Sequence, residues 1–227
     1  MLQPLTDLAK HAAAVAIDTP AHQPRASELR LPLSSLIKPE SLTEAWTSFL
    51  EDGPGDRDAR VVDGLGHARP EYVPLAVDVL RLAGRTVGTH LPALDVGTGA
   101  ASGYLAAALG EPVDPPAASG AMQPADVDAA PDTWVFEDLI WLHALHRAGR
   151  REERVAEAVA YHVEHTQPDY TTYQPWAIGA FATAPGGASF AEQQLHDVRT
   201  HLSIEGGAGA VVIALLLRLA VDGLGKQ

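Results

Sequence analysis

Apolar residues recur along most of the chain at the three-to-four-residue spacing of an amphipathic helix. Nowhere do Val, Ile and Thr alternate with polar residues long enough to mark a strand. The pattern predicts helices over 3–17 and over 41–51, where Ser41 and Glu44 form a capping-box pair. A third covers 70–83, with Pro70 at its first position and Gly84 as its stop, and a fourth covers 99–109, ending at Gly110-Glu111-Pro112. Asp132 is placed to cap a helix over 133–148 that Gly149 ends, and 151–165 follow as another. Pro175 opens a short apolar helix, PWAIGAFATA, before Pro185; Ser189 and Glu192 then form a second capping box ahead of a helix over 190–202. Residues 207–222 make a last, strongly apolar helix, while 52–69 and 166–174 read as loops. With 39 alanines against 13 aromatic residues, composition favours the same outcome, because Ala has the highest helix propensity.

The expected architecture is all-α, built from antiparallel helical hairpins in a single domain over residues 1–227. The Pro-, Ala- and Asp-rich stretch 111–132 reads as a linker or surface loop dividing 1–110 from 133–227. An internal duplication is hinted at: Ala-Gly-Arg follows a helix at 83–85 and again at 148–150. The apolar and glycine run Gly206–Leu217 spans 12 residues before Arg218, short of the ~20 that a membrane span needs. A buried core helix is the expectation there.

Residues 134–222 resemble the helical hairpins of α/α-toroid proteins, the terpene cyclase and protein prenyltransferase superfamily. Long and short helices alternate, and Gln174, Trp176 and Gly179 open what would be an inner helix. The resemblance implies a partial α/α toroid. The aspartate-rich motif of the cyclases and a Cys/Asp/His zinc set are both missing from the chain.

Charge removes several function classes. The net charge is −13, and the only lysines are Lys10, Lys38 and Lys226, so there is no basic face for nucleic acid. The lack of cysteine excludes disulfides, thiolate nucleophiles and Cys-ligated metal. Asp7 and Lys10 interrupt the N-terminal apolar residues, which do not read as a signal peptide; a cytoplasmic protein off the membrane is expected.

Candidate chemistry gathers in the second half. Asp95-Val-Gly-Thr-Gly-Ala-Ala-Ser-Gly103 resembles the cofactor loop of S-adenosylmethionine methyltransferases, but Pro92 breaks the strand that should precede it and EPVDPPAASG replaces the strand that should follow. A helix-entry turn that lets helices pack closely is the better reading. His143 and His146 have metal-competent spacing yet share a helix side with Arg147 and Arg150, which reads as solvated. His162 continues the apolar stripe of Val155 and Val159, so it faces the core or a cavity, with His165 at the edge. Glu137 shares a wheel face with Trp134 and Trp141, where a buried carboxylate could act as acid or base; Asp138 reads as a first-turn acid favoured by the helix dipole. His196-Asp197 looks like the metal pair of HD-domain phosphohydrolases but points off the apolar face of its helix.

The expected function is a small-molecule or peptide pocket lined by the 162–176 segment. His165, Tyr170, Tyr173, Gln174 and Trp176 are its ligand contacts, and His162, Asp169 and Glu137 its catalytic candidates. The competing expectation is a hydrolase or lyase using His162, His165, Asp169 and Glu137, metal-dependent if the histidines and Asp169 act as ligands. No residue pattern names a cofactor, and homo-oligomerisation is left open.

Overall fold

A computed structural model describes residues 1–18, 28–33, 46, 60–87, 96, 99–116, 120–122, 130–149, 152–166, 174–205, 207 and 209–225. Among them are eight helices: α1 (Leu2–Asp18), α2 (Tyr72–Leu82), α3 (Ala100–Leu109), α4 (Pro131–Ala148), α5 (Glu152–His165), α6 (Ile178–Thr183), α7 (Ala188–Glu205) and α8 (Ala210–Gly225). The fold is all-α. Two three-residue strands, β1 (Glu28–Arg30) and β2 (Arg60–Val62), pair in parallel with Leu29 opposite Val61. β2 replaces part of the loop expected over 52–69; three residues are too few for alternation to register in a sequence. The helix expected over 41–51 lies outside the described residues, Trp46 excepted.

The final apolar stretch folds as the core helix its pattern called for. Every residue from Ala210 to Leu217 in α8 is buried, with α1, α2 and α6 packed on it. No helix among the described residues is long and apolar enough to cross a membrane. α1 presents Leu5, Leu8 and Ala12 inward, the spacing of a single buried stripe.

Contacts advance together along α2, α3 and α4. Asp78 meets Tyr104, and Arg81 donates to the carbonyl of Ala108 one turn further on. Glu137 lies against Gly99, and Trp141 against Gly103. These three helices therefore run the same way, and their N-termini open onto one corner of the molecule. The connection between α3 and α4 touches down midway: Met122 is fully buried, its N–H donating to Asp138 Oδ2 at 3.2 Å, and Arg154 donates to the carbonyls of Gly120 and Ala121. α5 folds back on α4 through Gly149 in the left-handed region (φ 63°), so that Tyr161 near its end meets Trp134 near the start of α4.

Several helix starts differ from expectation. α2 begins at Tyr72 with Glu71 at its N-cap, not at Pro70. α4 begins at Pro131 behind Ala130, which makes Asp132 a first-turn residue, not the cap. α7 begins at Ala188, so Ser189 is already helical and forms no capping box with Glu192. Pro175 precedes α6 by a turn, with Ala177 at the N-cap in the left-handed region (φ 59°).

Candidate functional site

His162 faces inward as its stripe implies, and what it meets is Asp138. Nε2 of His162 lies 2.7 Å from Asp138 Oδ2, and Nδ1 lies 2.8 Å from Thr166 Oγ1. Both His162 and Asp138 have 0% exposure. Both ring nitrogens are thus engaged, and the imidazole links α4 to the end of α5 in a place no solute reaches. The wheel placed Glu137 inward and Asp138 outward; the structure reverses them, with Glu137 exposed and Asp138 buried.

Glu137 instead contributes to the corner where α2, α3 and α4 begin. Its Oε1 lies so close to Gly99 that a Cβ there would stand 2.7 Å away, and Gly99 also needs its φ of +89°, two reasons for glycine at the start of α3. Across the corner, Glu71 stands at the N-cap position of α2 without a side-chain capping bond. Its carboxyl is 5% exposed, and Oε1 has no hydrogen-bond partner; the nearest cation, Arg69 Nη1, is 3.6 Å away. Burial pushes the Glu71 carboxyl above the usual range, against the pull of its backbone and of Arg69, and the charge of Glu137 adds to the rise. Arg69 lies over the Phe136 ring at 5.3 Å.

Tyr72, the first residue of α2, joins this corner to the end of the 162–176 segment. Gln174 Nε2 donates to the Tyr72 hydroxyl at 3.1 Å, and Trp176 Nε1 donates to Gln174 Oε1 at 3.1 Å. Gln174 is therefore locked by two bonds. Burial raises the Tyr72 hydroxyl far above an ordinary tyrosine, with the charge of Asp63 next in effect. Trp176 is fully buried, its ring edge-on to Phe136, Tyr104 and His143.

The face with His143, His146 and Arg147 is not solvated, contrary to its sequence reading. His143 is buried against Tyr104 and Trp176, with Nε2 unpartnered. Burial, then the charge of Arg147, holds His143 well below the usual histidine range and brings His146 down to about 4. Arg147 grips the buried Asp78 with two bonds of 2.8 and 2.7 Å; Asp78 also accepts from the Tyr104 hydroxyl at 3.2 Å, and Asp222 lies 3.6 Å from Arg147. The partner that neutralises Arg147 lies 69 residues away, beyond the reach of any local pattern.

The structure thus brings Glu137, Gln174 and Trp176 into one neighbourhood and separates His162 from it. His165 is on the surface, stacked obliquely on Tyr161 at 4.7 Å and 3.8 Å from Glu164. Asp169, Tyr170 and Tyr173 lie outside the described residues. No group of three or more His, Asp or Glu among the described residues is arranged to hold a metal ion. Sequence reasoning missed Glu71 and Tyr72; the one available signal was an acid directly after Pro70 at a helix start. No family model matches the chain, and comparison with curated proteins and with solved structures returned no match.

Proposed function

We propose that the protein binds a small polar molecule at the corner where α2, α3 and α4 begin, beside Gln174 at the end of the 162–176 segment, which the fully buried Trp176 holds from behind. The observation that carries this reading is Glu71: a buried carboxyl whose Oε1 accepts no hydrogen bond and has only the 3.6 Å approach of Arg69, whereas Asp63, Asp78 and Asp138, also buried, all accept hydrogen bonds. Leaving a buried acceptor without a hydrogen bond costs ~1–3 kcal/mol, which a bound donor would recover. The ligand is accordingly one that presents an amine or hydroxyl, since Glu137 and Asp63 add negative charge around Arg69.

The same pair supports acid–base chemistry. A carboxyl whose pKa burial raises, beside a second, exposed carboxyl, divides the roles of acid and base between two chemically similar groups. In a hydrolase or lyase, Glu71 and Glu137 would carry the proton transfers, while His162 and Asp138 hold α4 and α5 in place.

The test is a thermal-shift screen with small amines, amino alcohols and sugars on the wild type, Glu71→Gln and Glu137→Gln. The expected result is a compound that raises the melting temperature of the wild type and loses its effect in Glu71→Gln, whose amide keeps the shape but cannot exchange a proton. An undiminished response in Glu71→Gln, or a wild type that answers to none of these compounds, would refute the reading.

A further inference from the structure

α1 and α8 make the most extensive helix pair among the described residues, and one side of their seam is hollow. Thr6, Lys10 and Ala13 recur at helical spacing beside the buried stripe of α1, and Ala214, Arg218 and Val221 face them from α8. Because the seam is lined by alanines, the two backbones can approach while the space above them stays unfilled: a half-open groove of about 170 Å³, smaller than the ~300–1,000 Å³ of sites for drug-sized molecules and suited only to a slender ligand. Leu2 and Ile17, exposed to 46% and 61%, continue the same stripe of α1 beyond both ends of the groove.

The cations of the groove stand apart from the acids around them. Asp7, one turn from Lys10, is held by Gln3 at 2.9 Å, and Asp222, one turn from Arg218, is turned to Arg147 at 3.6 Å. Neither Lys10 nor Arg218 forms an ion pair among the described residues, in a chain whose net charge is −13. Two unneutralised cations on an otherwise apolar, narrow channel complement one anionic head on a thin apolar chain.

We infer that the groove between α1 and α8 binds a straight-chain fatty acid, its carboxylate between Lys10 and Arg218 and its tail along the alanine-lined seam toward an exposed end of the α1 stripe. A peptide helix would need room for side chains that a channel floored by Ala13 and Ala214 does not give. This site shares no lining residue with the Glu71 corner and does not depend on it.

Isothermal titration with sodium decanoate tests the assignment, with 1-decanol as the uncharged control. Expected are one saturable decanoate per chain, weaker binding of decanol, and at least a tenfold loss of decanoate affinity in Lys10→Gln with Arg218→Gln. Both of those side chains are exposed, so that variant should fold like the wild type. Ala13→Leu, which fills the seam, should abolish binding of both probes. Three results would each overturn the inference: no saturable decanoate binding, affinity indifferent to the loss of both cations, or a wild-type dimer in sedimentation that Ala13→Leu dissociates, which would give this face to a second copy of the chain.

Discussion

Removing the Asp138 carboxylate leaves His162 without its partner and the Met122 N–H without its acceptor, all inside the core. Breaking a buried pair from one side costs ~3–5 kcal/mol, so Asp138→Ala should lower the urea midpoint drastically, whereas Glu137→Ala, at an exposed site, should stay within ~0.5 kcal/mol. Equal effects of the two would show that the pair is not held as described. The neighbouring histidines add a pH dependence with a definite sign. His146 is brought down to about 4, below the ~6.5 of an unfolded histidine. Above that unfolded value both states are neutral and its contribution is complete. As pH falls from ~6.5 toward 4 the unfolded chain binds the proton first, and stability drains at up to ~1.4 kcal/mol per pH unit. Glu71, raised by burial, acts in the opposite sense, losing stability as pH rises through its folded value. The informative measurement is therefore a difference: His146→Gln should lose stability less steeply than the wild type between pH 6.5 and 4, and parallel curves would contradict the shift. At this scale the sequence was legible for His162, whose apolar stripe aimed it inward, and misleading for Glu137 and Asp138. A helical wheel assumes one buried face. Asp138 through Leu142 of α4 are all buried, so the wheel had no solvent side from which to orient them.

Elements were more legible than residues, because a helix announces itself over ten or more positions while a cap depends on one. The left-handed glycine at 149 ends α4 where its spacing said it would, and the apolar run of α8 is the core helix. The starts misled because several polar residues compete for each N-cap and only the tertiary path selects among them; Ala130 and Ala177 hold N-cap positions with no side-chain bond. Gly103 joins local pattern to packing. A Cβ there would stand 2.0 Å from the Trp141 ring, so the indole lies directly on the α3 backbone. In an exposed helix, Gly→Ala gains up to ~1 kcal/mol. Here overpacking should reverse the sign, and Gly103→Ala should lose ~1–3 kcal/mol in chemical denaturation. Adding Trp141→Leu should make the double variant less destabilised than the sum of the single ones, since the two residues share one contact. Additive losses would mean that the α3–α4 approach does not rest on this pair.

Across the whole molecule, one cation ties together helices that no sequence pattern associates. Asp78 belongs to α2, Tyr104 to α3, Arg147 to α4 and Asp222 to α8, and the guanidinium joins them through the two-bond grip on Asp78 and the 3.6 Å approach to Asp222. With α2, α3 and α4 running the same way, each needs a long connection back to the corner where the next begins, so short turns cannot hold their ends in register; the Arg147 cluster, well along α4 from that corner, does. Burial alone would lower the pKa of Arg147, but the carboxylates outweigh it and raise it, which keeps the charge in place at any accessible pH. The fork geometry is then what matters. Arg147→Lys keeps the positive charge and loses the paired bonds to Asp78. Arg147→Ala should cost ~3–5 kcal/mol by stranding the Asp78 carboxylate, and Arg147→Lys should cost most of that amount. Hydrogen exchange should show α2, α4 and α8 losing protection together in both variants, as one cooperative unit. A lysine variant with wild-type stability would mean that charge alone suffices and that the geometry of the brace is incidental; loss of protection confined to α4 would mean that the four helices are not coupled through Arg147.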